Sequence, residues 1–256
     1  MRKTFRMLST TLSLALLVTT LSPASASAAN ITSKIVIASD MLGERTNVQF
    51  IEGTPGDTHL VYTYQQNGNM YKAIENASDD FRNVECQIFQ LNENGIYVEN
   101  STQCVSMDSE GNPLITIKSF LGDTEQRTID ISTITPSFLQ SDSTARVPDG
   151  EWITEYYDGS KGDIKGLAIS VLISVVTTIA TYHTRGALSA GLVSGAGTIA
   201  ASLFGQNAEN VYYHAICNWR HSSKNYLVID ETEWTEFFLD SSHTYSLGHT
   251  YAEYIF

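Results

Sequence analysis

Three residues near the end of the chain have types and spacing that could do chemistry. His214, Cys217 and His221 form an H-x2-C-x3-H. On a helix all three would share a face and offer nitrogen and sulfur ligands to a metal. The surrounding NVYYHAICNWRH alternates like a strand, which puts Cys217 and His221 on one face and His214 on the other. A nucleophilic Cys217 would need an electropositive, partly exposed setting, and this stretch offers none. The acidic run Asp230-Glu231-Thr232-Glu233, with Glu236, has carboxylates for calcium but no EF-hand spacing. It reads as a solvated strand edge that discourages sheet-to-sheet pairing. The chain contains no GxSxG, HExxH, Walker loop or paired CxxC. The sequence therefore nominates no catalytic residue, no metal site and no cofactor.

Cys86 and Cys104 flank a turn at Asn94-Gly95. A two-residue turn there sets Cys86 opposite Gln103, one residue out of register with Cys104. The pair is a candidate disulfide only with a bulge or a longer loop; otherwise both are buried thiols.

The elements that position these residues read as follows. NVQFI, HLVYTY, NMYKAI, VECQIFQL, GIYVEN, LITIKSF and RTIDI, with KIVIA before them, are short β-branched and aromatic runs. Thr54-Pro55-Gly56-Asp57, Gln66-Asn67-Gly68-Asn69, Asn92-Glu93-Asn94-Gly95 and Ser109-Glu110-Gly111-Asn112 separate them as turns. Polarity alternates in His59–Tyr64, as expected of antiparallel strands with one wet face. STITPSFLQSDSTARVPDG reads as a linker, with a boundary near Ala145. The C-terminal segment is aromatic and β-like, with a hairpin turn at Asp240-Ser241-Ser242-His243. Its Tyr212, Tyr213, Trp219, Tyr226, Trp234, Phe237, Phe238, Tyr245, Tyr251 and Tyr254 suit a β-core, or a membrane interface where a polar tip meets water.

Between linker and tail, residues 166–205 carry one formal charge, Arg185. Gly166–Thr184 and Gly186–Ala208 are each uncharged and long enough to span roughly 30 Å of hydrocarbon as helices. Tyr182-His183-Thr184-Arg185-Gly186 would connect them, with His183, Arg185 and Gly186 as the hinge. The first half is bulky and the second small, with Gly191 and Gly195 forming a GxxxG. Leu167, Leu172, Val176, Ala187, Gly191, Gly195, Leu203 and Phe204 are the residues expected to pack the helices or enter a membrane. The expected fold class is α+β: an N-terminal antiparallel sandwich-like region, then an apolar helical hairpin flanked by C-terminal antiparallel strands.

The N-terminus has the layout of a secretory signal: Arg2, Lys3 and Arg6, an apolar run Leu8–Leu21, and small-x-small sites ending at Ala26 and Ala28. The expected organisation is a signal over 1–28, a β-rich domain over 29–135, a linker over 136–150, and the hairpin with its aromatic tail over 151–256. The 256 residues hold 28 acidic and 15 basic side chains. Three of the basic ones lie in the signal, so the exported chain would carry 28 against 12, a net of −16. Nucleic acid is an unsuitable partner, because binding it needs a basic patch to displace counterions. An anionic membrane would repel the chain at long range, so membrane action would have to be hydrophobic.

This layout, with GALSAGLVSGAGTIAASLFG as its most distinctive part, resembles the large exported bacteriocins of Gram-positive bacteria, the geobacillin-like group. The acidic balance departs from the cationic norm of antimicrobial peptides. The resemblance implies a secreted, non-enzymatic, membrane-active protein whose hairpin enters the lipid bilayer of target cells and self-associates through the Gly191/Gly195 stripe. The alternative is a secreted cell-surface binding or adhesion module in which the same segment is core.

Overall fold

The computed structural model describes residues 43–131, 152–182, 190–221 and 228–255. The expected signal, the KIVIA run, the linker at 136–150, the hinge residues His183, Arg185 and Gly186, and Ala187 lie outside the described residues. Seven strands form an antiparallel meander in chain order: β1 (Arg45–Glu52), β2 (His59–Gln66), β3 (Asn69–Ala77), β4 (Val84–Leu91), β5 (Tyr97–Met107), β6 (Pro113–Ser119) and β7 (Thr124–Thr128). A second antiparallel sheet holds β8 (Trp152–Lys161), β9 (Val211–His221), β10 (Val228–Phe238) and β11 (Ser246–Ile255), also side by side in chain order. Two helices intervene between β8 and β9: α1 (Ile169–Ala180) and α2 (Ala190–Gln206).

The expected turn chemistry is what closes the hairpins. Asn67 and Gly68 both have positive φ, 50° and 79°, between the paired Gln66 and Asn69, the requirement of a two-residue hairpin turn matched to strand twist. In the β4–β5 and β5–β6 turns a side chain at the turn entrance does the work. Asn92 Oδ1 accepts from the N–H groups of Asn94 and Ile96, and Asp108 Oδ1 from those of Glu110 and Asn112. Asp240 does the same for Thr244 and Tyr245 in the β10–β11 hairpin.

The expected α+β architecture needs correction. The molecule is mostly β, largely a sandwich of two antiparallel sheets of seven and four strands with two short helices, not a helical hairpin flanked by strands. The first helix lies inside, and the second keeps an exposed face at Gly191, Ser194 and Thr198. The α1 helix touches β3, β4, β5 and β6 of one sheet and β10 and β11 of the other, while α2 packs on α1, β1 and β11. Eleven of the 12 residues of α1 are buried, so apolarity on every face reflects burial on every face. Two of its polar members are accommodated by back-bonding: the Thr177 and Thr178 hydroxyls donate to the carbonyls of Ile173 and Ser174 at 2.8 and 2.7 Å.

Residues Gly43–Phe256 cluster as one compact unit. The segments expected as separate domains are tied by buried polar contacts at the start of α1. Its N-cap, Ala168, has no polar side chain to accept a hydrogen bond. Glu75 of β3 supplies the missing acceptor: its Oε1 takes the Ile169 N–H at 3.1 Å and its Oε2 the Ser170 N–H at 2.6 Å. These N–H groups favour the charged form of Glu75, but full burial outweighs them and raises its pKa. Gln103 of β5 accepts from the Ala168 N–H and donates to the Gly166 carbonyl, both at 2.9 Å. The Arg45 guanidinium donates to the Leu167 carbonyl at 2.8 Å and lies 4.1 Å from the centre of the Phe204 ring, a cation–π contact.

Candidate functional site

His214 and Cys217, the residues first weighed for chemistry, lie on opposite faces of one strand. β9 is a strand, so Cys217 faces inward and is buried, while His214 is on the outer face. The Cys217 thiol donates to Glu231 at 3.3 Å, and burial together with the carboxylates of Glu231, Glu233 and Glu155 pushes its pKa well up. That is the opposite of the environment that makes a thiolate nucleophile. Among the described residues no group of three or more His, Cys, Asp or Glu is placed to hold a metal ion.

Cys86 pairs with Gln103 and Cys104 with Glu85, so the two thiols point to opposite faces of the first sheet. Cys86 is buried, Cys104 exposed, and both are free. The candidate disulfide is thereby corrected: the loop closes Leu91 on Tyr97, and the irregularity between Ile88 and Phe89, on the turn side of Cys86, shifts the pairing by one so that Cys86 meets Gln103 and not Cys104.

Of the residues expected to pack helices or enter a membrane, Leu167, Leu172, Val176, Leu203 and Phe204 are all at most 2% exposed. The Phe204 ring meets Tyr62 and Tyr64 edge-on at 5.2 and 5.1 Å. The glycine stripe does not serve as a helix–helix seam. Gly191 is exposed. A Cβ on Gly195 would sit 3.1 Å from the His249 carbonyl oxygen of β11. Among the described glycines of α2, the tightest setting is Gly197, where a Cβ would meet the Pro55 carbonyl oxygen at 2.3 Å. Small residues let a strand and a loop, not a partner helix, come against this helix.

The surface with the most organised chemistry is the outer face of the second sheet. Strand pairing sets its side chains in rows running across all four strands. The central row is Tyr156–Ile216–Trp234–Tyr251. One row to the side is Thr154–Asn218–Thr232–Glu253, and one row to the other is Asp158–His214–Glu236–His249. Tyr156 and Tyr251 are 45% and 49% exposed, as is Trp152 (49%) beyond the first polar row. These large rings stand on the wet face while their neighbours Tyr213 and Phe237 fill the core.

Local contacts fix the rings. His214 lies near-parallel to Tyr156 at 6.2 Å and His249 lies against Trp234 at 5.6 Å. His214 Nδ1 and Asp158 Oδ1 are 2.6 Å apart, Ser246 donates to Glu236 at 2.7 Å, and Thr154 to Asn218 at 2.7 Å. The Arg220 guanidinium covers Trp152 at 5.1 Å. The result is an apolar track, one residue wide, with hydrogen-bonding groups along both edges. The sequence showed the aromatic enrichment of the tail but not its sorting, which depends on strand register.

No family model matches the chain, and neither a curated protein nor a solved structure matches it. The geometry therefore carries the functional argument.

Proposed function

We propose that this chain is an exported, non-enzymatic module that attaches to a cell surface through the outer face of its second sheet. The observation that carries this reading is the outer-face row Tyr156–Ile216–Trp234–Tyr251, three aromatic rings and an isoleucine, between two polar rows. Tyr and Trp on a rigid sheet give large contact area for little loss of side-chain freedom, which is why they anchor recognition surfaces.

The bilayer-insertion reading is less well supported. Among the described residues no helix is long and apolar enough to cross a membrane. At 12 residues, α1 extends about 18 Å against roughly 30 Å of hydrocarbon. Insertion would also strip α1 from both sheets and leave Glu75 and Gln103 without their partners. The apolar segment serves the fold.

Two readouts on the exported chain test the proposal. Labelled protein should bind intact Gram-positive cells, Trp234→Ala and Tyr251→Ala should each lower that binding at least tenfold, and dye-loaded liposomes should stay sealed. Liposome leakage, together with cell binding indifferent to both substitutions, would return the argument to membrane insertion.

A further inference from the structure

We infer that the ligand of this face is a single soluble chain of a neutral polysaccharide, laid across the strands along Tyr156, Ile216, Trp234 and Tyr251. The inference rests on the attachment role proposed above and names its ligand class. A pyranose ring presents C–H groups on its two faces and hydroxyls around its rim. The faces suit the electron-rich planes of Tyr and Trp. The rim would then meet Thr154, Asn218 and Thr232 on one side and Asp158, His214, Glu236 and His249 on the other. Hydroxyls, an amide, imidazoles and carboxylates together can donate and accept, as a polyol requires.

Charge narrows the choice. The face carries Asp158, Glu236 and Glu253 against Arg220, on a chain of net charge −13. Phosphate-, sulfate- or uronate-bearing polymers and nucleic acid would be repelled. A second copy docked face to face would bring two net acidic faces together. A lipid surface would have to desolvate both polar rows to reach a track one residue wide. A neutral polyol meets neither penalty.

Size and shape fit as well. Four strands at about 4.7–4.9 Å spacing give a platform of about 14 Å, room for a short run of sugar rings. Sheet twist turns successive strands by roughly 20–25°, so the rings do not form one flat plane. Such a platform follows a lone, flexible chain better than the flat surface of a crystalline fibre.

The test is calorimetric titration of the exported chain with soluble hexasaccharides of glucose, mannose, galactose and N-acetylglucosamine, beside a sulfated hexasaccharide. At least one neutral hexasaccharide should bind saturably and at least tenfold more tightly than the sulfated one. Tyr251→Ala and Trp234→Ala should each weaken it at least tenfold with the far-ultraviolet dichroism unchanged, whereas Phe120→Ser, remote from this face, should not. If no neutral hexasaccharide binds although both variants still lose cell attachment, the ligand class is overturned and the attachment role stands. If neither sugar binding nor any effect on cell attachment is found, both are overturned.

Discussion

Glu75 is the residue on which the two halves of the chain converge. It is fully buried, accepts from the Tyr62 hydroxyl at 2.5 Å and from two helix N–H groups, and burial raises its pKa above the ordinary carboxylate value. The sign of the pH effect follows. A folded-state pKa above the unfolded one means the folded state binds the proton more tightly. Stability contributed by this site is complete below the unfolded value near 4.5 and is lost as pH rises through the elevated one. Urea midpoints measured from pH 4 to 7 should therefore fall with rising pH by a component that Glu75→Gln removes; equal slopes in both proteins would refute it. Two glycines give a sharper contrast. Gly197→Ala forces a Cβ against the Pro55 carbonyl and should cost about 1–3 kcal/mol. Gly191→Ala, at an exposed position, should stay within about 0.5 kcal/mol. Denaturant midpoints of the two variants check this, and a reversed order would mean that Gly191, not Gly197, lies at a close contact.

At the scale of elements, α1 behaves as a core strand would in a simpler sandwich, filling the space between two sheets. Leu172→Ala should cost about 2–5 kcal/mol in a urea melt, because Leu172 is 2% exposed and both sheets limit collapse around the gap. A loss below about 1 kcal/mol would place α1 outside the core. The strands were largely legible: VECQIFQL is β4 residue for residue and the Asn67-Gly68 turn closes β2 on β3, whereas Cys86 faces Gln103 through a longer loop and a compensating bulge, not through the expected two-residue turn. Local alternation and turn chemistry suffice for such features. The helices were legible as apolar segments but not in their surroundings. A segment apolar on every side says that it is buried and is silent about what buries it. Glu75 shares strand parity with the buried Ala73, yet Ile74 on the opposite parity competed for the same core face. The GxxxG pattern misled because smallness permits close approach without naming what approaches.

On the scale of the whole molecule, the two sheets are not independent. Besides Arg45, Glu75 and Gln103, Arg127 donates to the carbonyls of Asp163 and Lys165, and Lys161 to that of Asp130. A single proteolytic cut introduced within 132–151 should leave two fragments that co-elute on size exclusion under native conditions and separate only in denaturant. Fragments that part in buffer and remain folded would show two autonomous domains. The acidic balance of the chain disfavours polyanions as partners, and the proposed binding face would act through stacking and hydrogen bonds.

Hydrogen–deuterium exchange of residues 169–180, with and without liposomes, tests most directly whether the apolar segment serves the fold while a surface face serves binding. The α1 amides should be among the slowest in the chain, opening only with global unfolding, and lipid should leave their rates unchanged. Fast exchange in buffer, or protection that appears only when liposomes are added, would contradict the account.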